Sequence, residues 1–114
     1  MSNYPALSLY IDGEFLSGAG RKTQDIINPA TAQVIAQLPH ASIEDLDRAL
    51  HAAERAFTTW KHSSPLERSA VLRKAAQLSR ERAKEIGLNM TLDQGKPLAE
   101  SVPEIIACAD HCDC

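Results

Sequence analysis

At 114 residues the chain has room for one small domain with one core, and is too short for a cofactor domain joined to a substrate domain. Hydrophobic and charged residues, at 44% and 24%, are ordinary for a globular protein, but aromatics at 4% are sparse, so a thin core is expected. A net charge of −3 with interleaved signs leaves no basic footprint for nucleic acid, and no run approaches the roughly 18 apolar residues of a membrane span.

Leu7 to Leu16 reads as a tight hairpin, with Asp12-Gly13 supplying a pair that tolerates positive φ in a two-residue turn. A glycine-containing loop over 17–22 follows. Asp25-Ile26-Ile27 and the run from Gln33 to Leu38 are two short apolar strands split by the turn Asn28-Pro29-Ala30-Thr31. Residues 1–39 are therefore expected to form a small antiparallel sheet element, and residues 42–114 to be helical.

Ser42-Ile43-Glu44-Asp45 has capping-box spacing, with Asp in place of the usual Glu or Gln, and opens a helix expected to run to about Trp60. Ile43, Leu46, Leu50, Ala53, Phe57 and Trp60 recur at three and four, the strongest periodic signal in the chain, opposite a polar face with Glu44, Asp47, Arg48 and Arg55. Ser64-Pro65-Leu66-Glu67 starts a second helix, whose buried side is expected to carry Leu66, Ala70, Leu72, Ala75, Ala76 and Leu78. The polar cluster from Ser79 to Lys84 predicts a kink or break. A further helical stretch then runs to Asp93 through Gly87, at a cost of about 1 kcal/mol relative to alanine. Gly95 is expected at its C-terminus and Pro97 in the first turn of a last helix, with Pro103 displacing the true start toward Val102.

Cys108, Cys112 and Cys114 with His111 invite a zinc reading, but structural zinc sites combine two separated ligand pairs and no second pair lies upstream. A nucleophilic cysteine needs a base, an orienting group and an oxyanion donor, and none can be assembled around this tail. The crowding of an odd number of cysteines is a poor disulfide plan and points weakly to a reducing compartment. Neither a basic n-region nor an apolar h-region opens the chain, so a cytoplasmic location is the expectation. His40, His51 and His62 are dispersed. Gly18-Ala19-Gly20 leads into a strand rather than a phosphate-binding helix, so no dinucleotide motif is present.

Taken in order, the Asp12-Gly13 hairpin, Asn28-Pro29-Ala30-Thr31, Phe57 and Trp60, Arg68, and Leu92-Asp93-Gln94-Gly95-Lys96-Pro97-Leu98-Ala99-Glu100 resemble the N-terminus of NAD(P)-dependent aldehyde dehydrogenases, closest to the succinate-semialdehyde branch. The resemblance implies an α/β family fold. In it, this chain would be an α+β N-terminal piece of the coenzyme-binding domain, antiparallel β-hairpins followed by three to four amphipathic helices. The family reaction it implies is oxidation of an aldehyde to a carboxylate with NAD or NADP, through a thiohemiacetal on a cysteine that belongs to later sequence. On that basis residues 1–114 hold no catalytic and no cofactor-binding residue, and the isolated chain is expected to be inactive and to bind no cofactor by itself.

The resemblance also implies a structural monovalent-cation site, using the backbone carbonyl of Ile27, with Ile26 beside it, and the carboxylate of Asp93; the alternative is that Asp93 only caps its helix or pairs with Lys96. The family helix continues to an aromatic near the position of Cys114, a departure that points to a truncated or partial gene. Apolar helix stripes left uncovered would favour self-association or docking to a full-length relative. The rival readings are a non-catalytic helical interaction module derived from the family and a small metal-binding protein using the cysteine tail.

Overall fold

The computed structural model describes residues 4–113, in the order β1 (Leu9–Ile11), β2 (Glu14–Leu16), β3 (Thr23–Asn28), β4 (Gln33–Pro39), α1 (Ile43–Trp60), α2 (Pro65–Glu81), α3 (Ala83–Gln94) and α4 (Leu98–Asp113). Two compact units result. One runs to Ile27 and resumes from Val34 to His62; the other takes Asn28–Gln33 and the chain from Ser63 onward.

In the first unit β1 and β2 pair antiparallel, with Leu9 opposite Leu16, Tyr10 opposite Phe15 and Ile11 opposite Glu14. Asp12 at φ 54° and Gly13 at φ 83° make the turn, the conformation that a two-residue hairpin matching the strand twist requires. The Tyr10 and Phe15 rings meet at 4.8 Å between centroids on its outer face. β3 and β4 form a separate two-stranded sheet, so the expected antiparallel hairpins are present as two small sheets.

Helix α1 begins as expected: the Ser42 N–H donates to Asp45 Oδ2 at 2.8 Å, and the Asp45 N–H donates to Ser42 Oγ at 3.2 Å. Its orientation is the unexpected part. Asp45 is the buried residue of α1, Ala49 and Ala52 flank it half-buried, and Arg48 and Arg55 reach Glu14 and Asp12 of the β1–β2 hairpin. The apolar stripe of Ile43, Leu46, Leu50, Phe57 and Trp60 faces outward, each of these residues 47% to 71% exposed. Polar and alanine positions face the unit's own hairpin because that hairpin presents carboxylates, and it leaves the stripe uncovered.

In the second unit α4 packs on α2 and on α3. Ala76, Ala83, Ile105 and Ala109 are buried there with Ser101, a thin alanine-rich core that matches the composition. The expected buried side of α2 needs correction. Ala76 is buried and Leu78 half-buried, but Leu66, Ala70, Leu72 and Ala75 are exposed, because α4 approaches through small residues on the side of Ala76 and Ser69. The break between α2 and α3 falls at Arg82, inside the expected polar cluster.

Gly87 has a packing reason: a Cβ there would lie 2.9 Å from Val102 Cγ2 and 3.2 Å from the Val102 backbone N, so glycine permits the close approach of α3 and α4. Helix α4 continues unbroken through Pro103, contrary to the expected displacement. Proline deprives only the Ala99 carbonyl of its partner, and both residues are exposed, so water can serve that group. Pro97 stands one residue before α4, its carbonyl accepting from the N–H groups of Glu100 at 2.9 Å and Ser101 at 3.1 Å.

Candidate functional site

The sequence features with the sharpest spacing meet in the second unit. Asn28 is buried and folds its side chain onto its own turn: Oδ1 accepts from the Ala30 N–H at 2.9 Å and its carbonyl accepts from the Ala32 N–H at 2.8 Å. Against this turn lies Gly95, at φ 79°, whose N–H donates to the Thr91 carbonyl at 2.9 Å and closes α3 with a left-handed cap. A Cβ on Gly95 would sit 2.9 Å from Pro29 Cγ. Beyond the cap Ser101, fully buried, shares a hydrogen bond of 3.0 Å with Thr91 Oγ1 and donates to the Pro97 carbonyl at 3.3 Å. The turn between α3 and α4 is thus held by backbone and hydroxyl bonds.

Lys96 pairs with Glu104 across the start of α4, which raises its ammonium above the ordinary lysine value. That disposes of the expected alternative of an Asp93–Lys96 pair. Asp93 is exposed in the last turn of α3, and Ile27, 52% exposed, lies in β3 of the other unit. Among the described residues no three His, Cys, Asp or Glu side chains converge as a metal site.

In the first unit the buried Asp45 carboxylate receives a two-pronged ion pair from Arg21, with Arg21 Nη2 donating to Oδ1 at 3.0 Å and Nη1 to Oδ2. The guanidinium, then the Ser42 N–H, hold the Asp45 carboxyl well below the usual carboxylate range, and the same pair raises Arg21. The sequence reading treated Asp45 only as a cap and Arg21 as a loop residue; an Arg in a glycine loop gives no periodic signal of its partner 24 residues away. A cleft of about 610 Å³ beside this pair is lined by Arg21, Lys22, His40 and Ser42. In it Arg21 is committed to Asp45, and Ser42 Oγ accepts from the Asp45 N–H.

At the starts of α1 and α2 the Ser42–Asp45 and Ser64–Glu67 capping boxes satisfy the N-cap and N3 N–H groups and hold a carboxylate at each helix start. The cysteines expected to be chemically idle are free, Cys108 exposed and Cys112 half-buried on α4, while Cys114 lies outside the described residues.

A junction built from Asn-Pro and Gly-Lys-Pro elements is the pattern the resemblance predicts, and the family comparison decides the matter: the pattern described as the aldehyde dehydrogenase family matches residues 15–114. The chain belongs to the aldehyde dehydrogenase family. It corresponds to the family's N-terminal region. It is 39% identical over 104 residues to the methylmalonate-semialdehyde/malonate-semialdehyde dehydrogenase [acylating], mitochondrial, of Homo sapiens, an alignment covering 91% of this chain and 19% of that protein.

Among solved aldehyde dehydrogenase structures, it is similar to lactaldehyde dehydrogenase from Escherichia coli, with a TM-score of 0.89 and 37% identity over 95% of this chain and 23% of that one. It is also similar to aldehyde dehydrogenase 21 from Physcomitrella patens in complex with the reaction product succinate, with a TM-score of 0.87 and 28% identity over 96% and 23%. The chain spans about a fifth of the length of the curated relatives that it matches. The expected α+β fold, hairpins followed by four helices, is the one found. No helix among the described residues is long and apolar enough to cross a membrane.

Proposed function

We propose that this chain is the N-terminal part of an NAD(P)+-dependent dehydrogenase that oxidises a small semialdehyde to the corresponding carboxylate, with succinate semialdehyde as the leading substrate. The observation that supports it best is the junction in which Gly95 packs on Pro29, within a family match reaching from residue 15 to residue 114. The names of similar proteins support the substrate class: a semialdehyde dehydrogenase shares 39% of aligned residues, and a structural relative was solved with succinate as reaction product. The family is NAD(P)-dependent, and that cofactor supplies the hydride acceptor.

In this reading the 114 residues are a supporting element. They carry no catalytic group and, purified by themselves, form no NAD(P)H from an aldehyde. The outward stripes of α1 and α2 favour docking onto the rest of such a fold, supplied by a full-length relative, or self-association where none is present. A cytoplasmic setting agrees with three cysteines of which the described two are free thiols.

A chimera tests the reading. This chain replaces the matching region of the Escherichia coli lactaldehyde dehydrogenase, and aldehyde-dependent NAD(P)H formation is measured with lactaldehyde and with succinate semialdehyde. Retained oxidation of lactaldehyde is expected. A folded chimera without activity, or NAD(P)H formation by the purified 114-residue chain, would overturn the supporting role. A second reading follows from the acylating relative, in which the acyl group passes to a thiol acceptor instead of water. Thiol-dependent turnover by a full-length enzyme carrying this sequence would favour it.

A further inference from the structure

We propose that Cys108 and Cys112 form a two-coordinate site for a soft monovalent cation, with Cu(I) as the type ion. The two thiols stand four residues apart on α4, one turn above the other, so their Cβ atoms are about 5–6 Å apart, as on any regular helix. That separation is too long for a disulfide, which needs Cβ atoms about 3.5–4.5 Å apart. It suits a bridging ion instead: with metal–sulfur bonds near the roughly 2.3 Å of zinc thiolates, one ion spans up to about 4.6 Å between sulfurs. A linear site requires the two sulfurs to come within that span, a separation that χ1 rotation of either side chain adjusts.

The surroundings favour two ligands rather than four. No three metal-binding side chains converge among the described residues, and a linear dithiolate needs only two. His111 is turned to its own helix, its Nδ1 lying 2.7 Å from the Ala107 carbonyl. Asp110 and Asp113 are drawn to Arg80 of α2, with oxygen–nitrogen distances of 2.6 Å. At 3.6 residues per turn Asp110 lies roughly 160° around the helix from both Cys108 and Cys112, and Asp113 roughly 140° from Cys108 and 100° from Cys112. The ion pairs therefore pin the last turns of α4 to α2 on one flank and leave the thiols on the other, Cys108 exposed and Cys112 half-buried. Thiolate donors without hard oxygen ligands select Cu(I) over magnesium, calcium or manganese. Binding converts two thiols and one Cu(I) into a dithiolate complex of net charge −1 and releases two protons to solvent, with no change in the oxidation state of copper or sulfur.

The test is a competition titration of the reduced chain with Cu(I) against a chromophoric Cu(I) chelator, with stoichiometry read by native mass spectrometry. One ion per chain is expected, with affinity rising as pH rises because protons are displaced. Cys108→Ser and Cys112→Ser should each abolish the 1:1 complex while circular dichroism shows α4 retained, and His111→Ala and Cys114→Ser should keep it. Undiminished binding by either single variant at 108 or 112, loss on Cys114→Ser, or one ion shared between two chains would each overturn the proposal.

Discussion

Gly95 and Pro29 touch across 66 positions of sequence: a single methyl group added to Gly95 would come within 2.9 Å of the Pro29 ring. The same glycine sits at φ 79°, where an L side chain is strained. Two independent reasons therefore keep this position glycine, and they can be separated. Gly95→Ala is expected to lower stability by about 1–3 kcal/mol, combining a left-handed backbone penalty with overpacking. Adding Pro29→Ala should recover the packing part and leave the backbone part. Urea unfolding of the two variants and the double variant measures both, and full recovery in the double variant would show that backbone conformation contributes nothing.

Gly87 offers a parallel case inside the helices. Its added Cβ would meet Val102 Cγ2 at 2.9 Å and the Val102 backbone N at 3.2 Å. Gly87→Ala should therefore destabilise by about 1–3 kcal/mol despite the better helix propensity of alanine. Val102→Ala in the same chain should restore only part, since the backbone contact remains. A positive coupling energy in the double-mutant cycle is the expected result.

The Arg21–Asp45 pair makes stability depend on acid. The Asp45 carboxyl is depressed in the folded chain by Arg21 and by the Ser42 N–H, whereas in the unfolded chain it titrates near the ordinary value of about 3.9. Its contribution is therefore fully present above that value and is lost as pH falls below it toward the folded pKa. Arg21 stays cationic throughout. Asp45→Asn should lower stability at neutral pH and flatten this part of the acid limb, seen as a smaller change in urea midpoint between pH 5 and 3. An unchanged acid limb would remove Asp45 from the account.

The outward stripe of α1 predicts a separation of stability from association. Leu50 and Phe57 are 60% and 61% exposed, so Leu50→Glu with Phe57→Glu should shift stability by less than about 0.5 kcal/mol per site. The same change should reduce self-association measured by sedimentation, and in the lactaldehyde dehydrogenase chimera it should abolish assembly. Loss of folding in the isolated variant would mean that the stripe is internal core.

For the cation ligands Ile27 and Asp93, a carboxylate and a carbonyl suit a monovalent ion. Sodium or potassium titration is expected to leave the melting temperature unchanged beyond the effect of equal ionic strength from tetramethylammonium. Saturable stabilisation that Asp93→Asn removes would show a formed site.

The elements were legible because their determinants are local. Asp12-Gly13 specifies the hairpin turn, Ser42 with Asp45 and Ser64 with Glu67 specify two helix starts, and Gly95 specifies a helix end. Each acts through backbone geometry or a hydrogen bond within about four residues. The order and spacing of the same features also carried the family. What the sequence could not disclose was which face of each helix is covered. Periodicity in α1 places Leu46, Leu50 and Phe57 on one stripe, but it is silent on whether the chain supplies a partner for that stripe. Only tertiary structure shows Arg48 and Arg55 turned to the hairpin, Asp45 turned to Arg21 and the apolar residues turned out. Burial is a property of what stands opposite, and so are the reach of Arg21 to Asp45, the fit of Gly87 to Val102 and the contact of Gly95 with Pro29, because each joins residues whose sequence separation leaves no periodic trace.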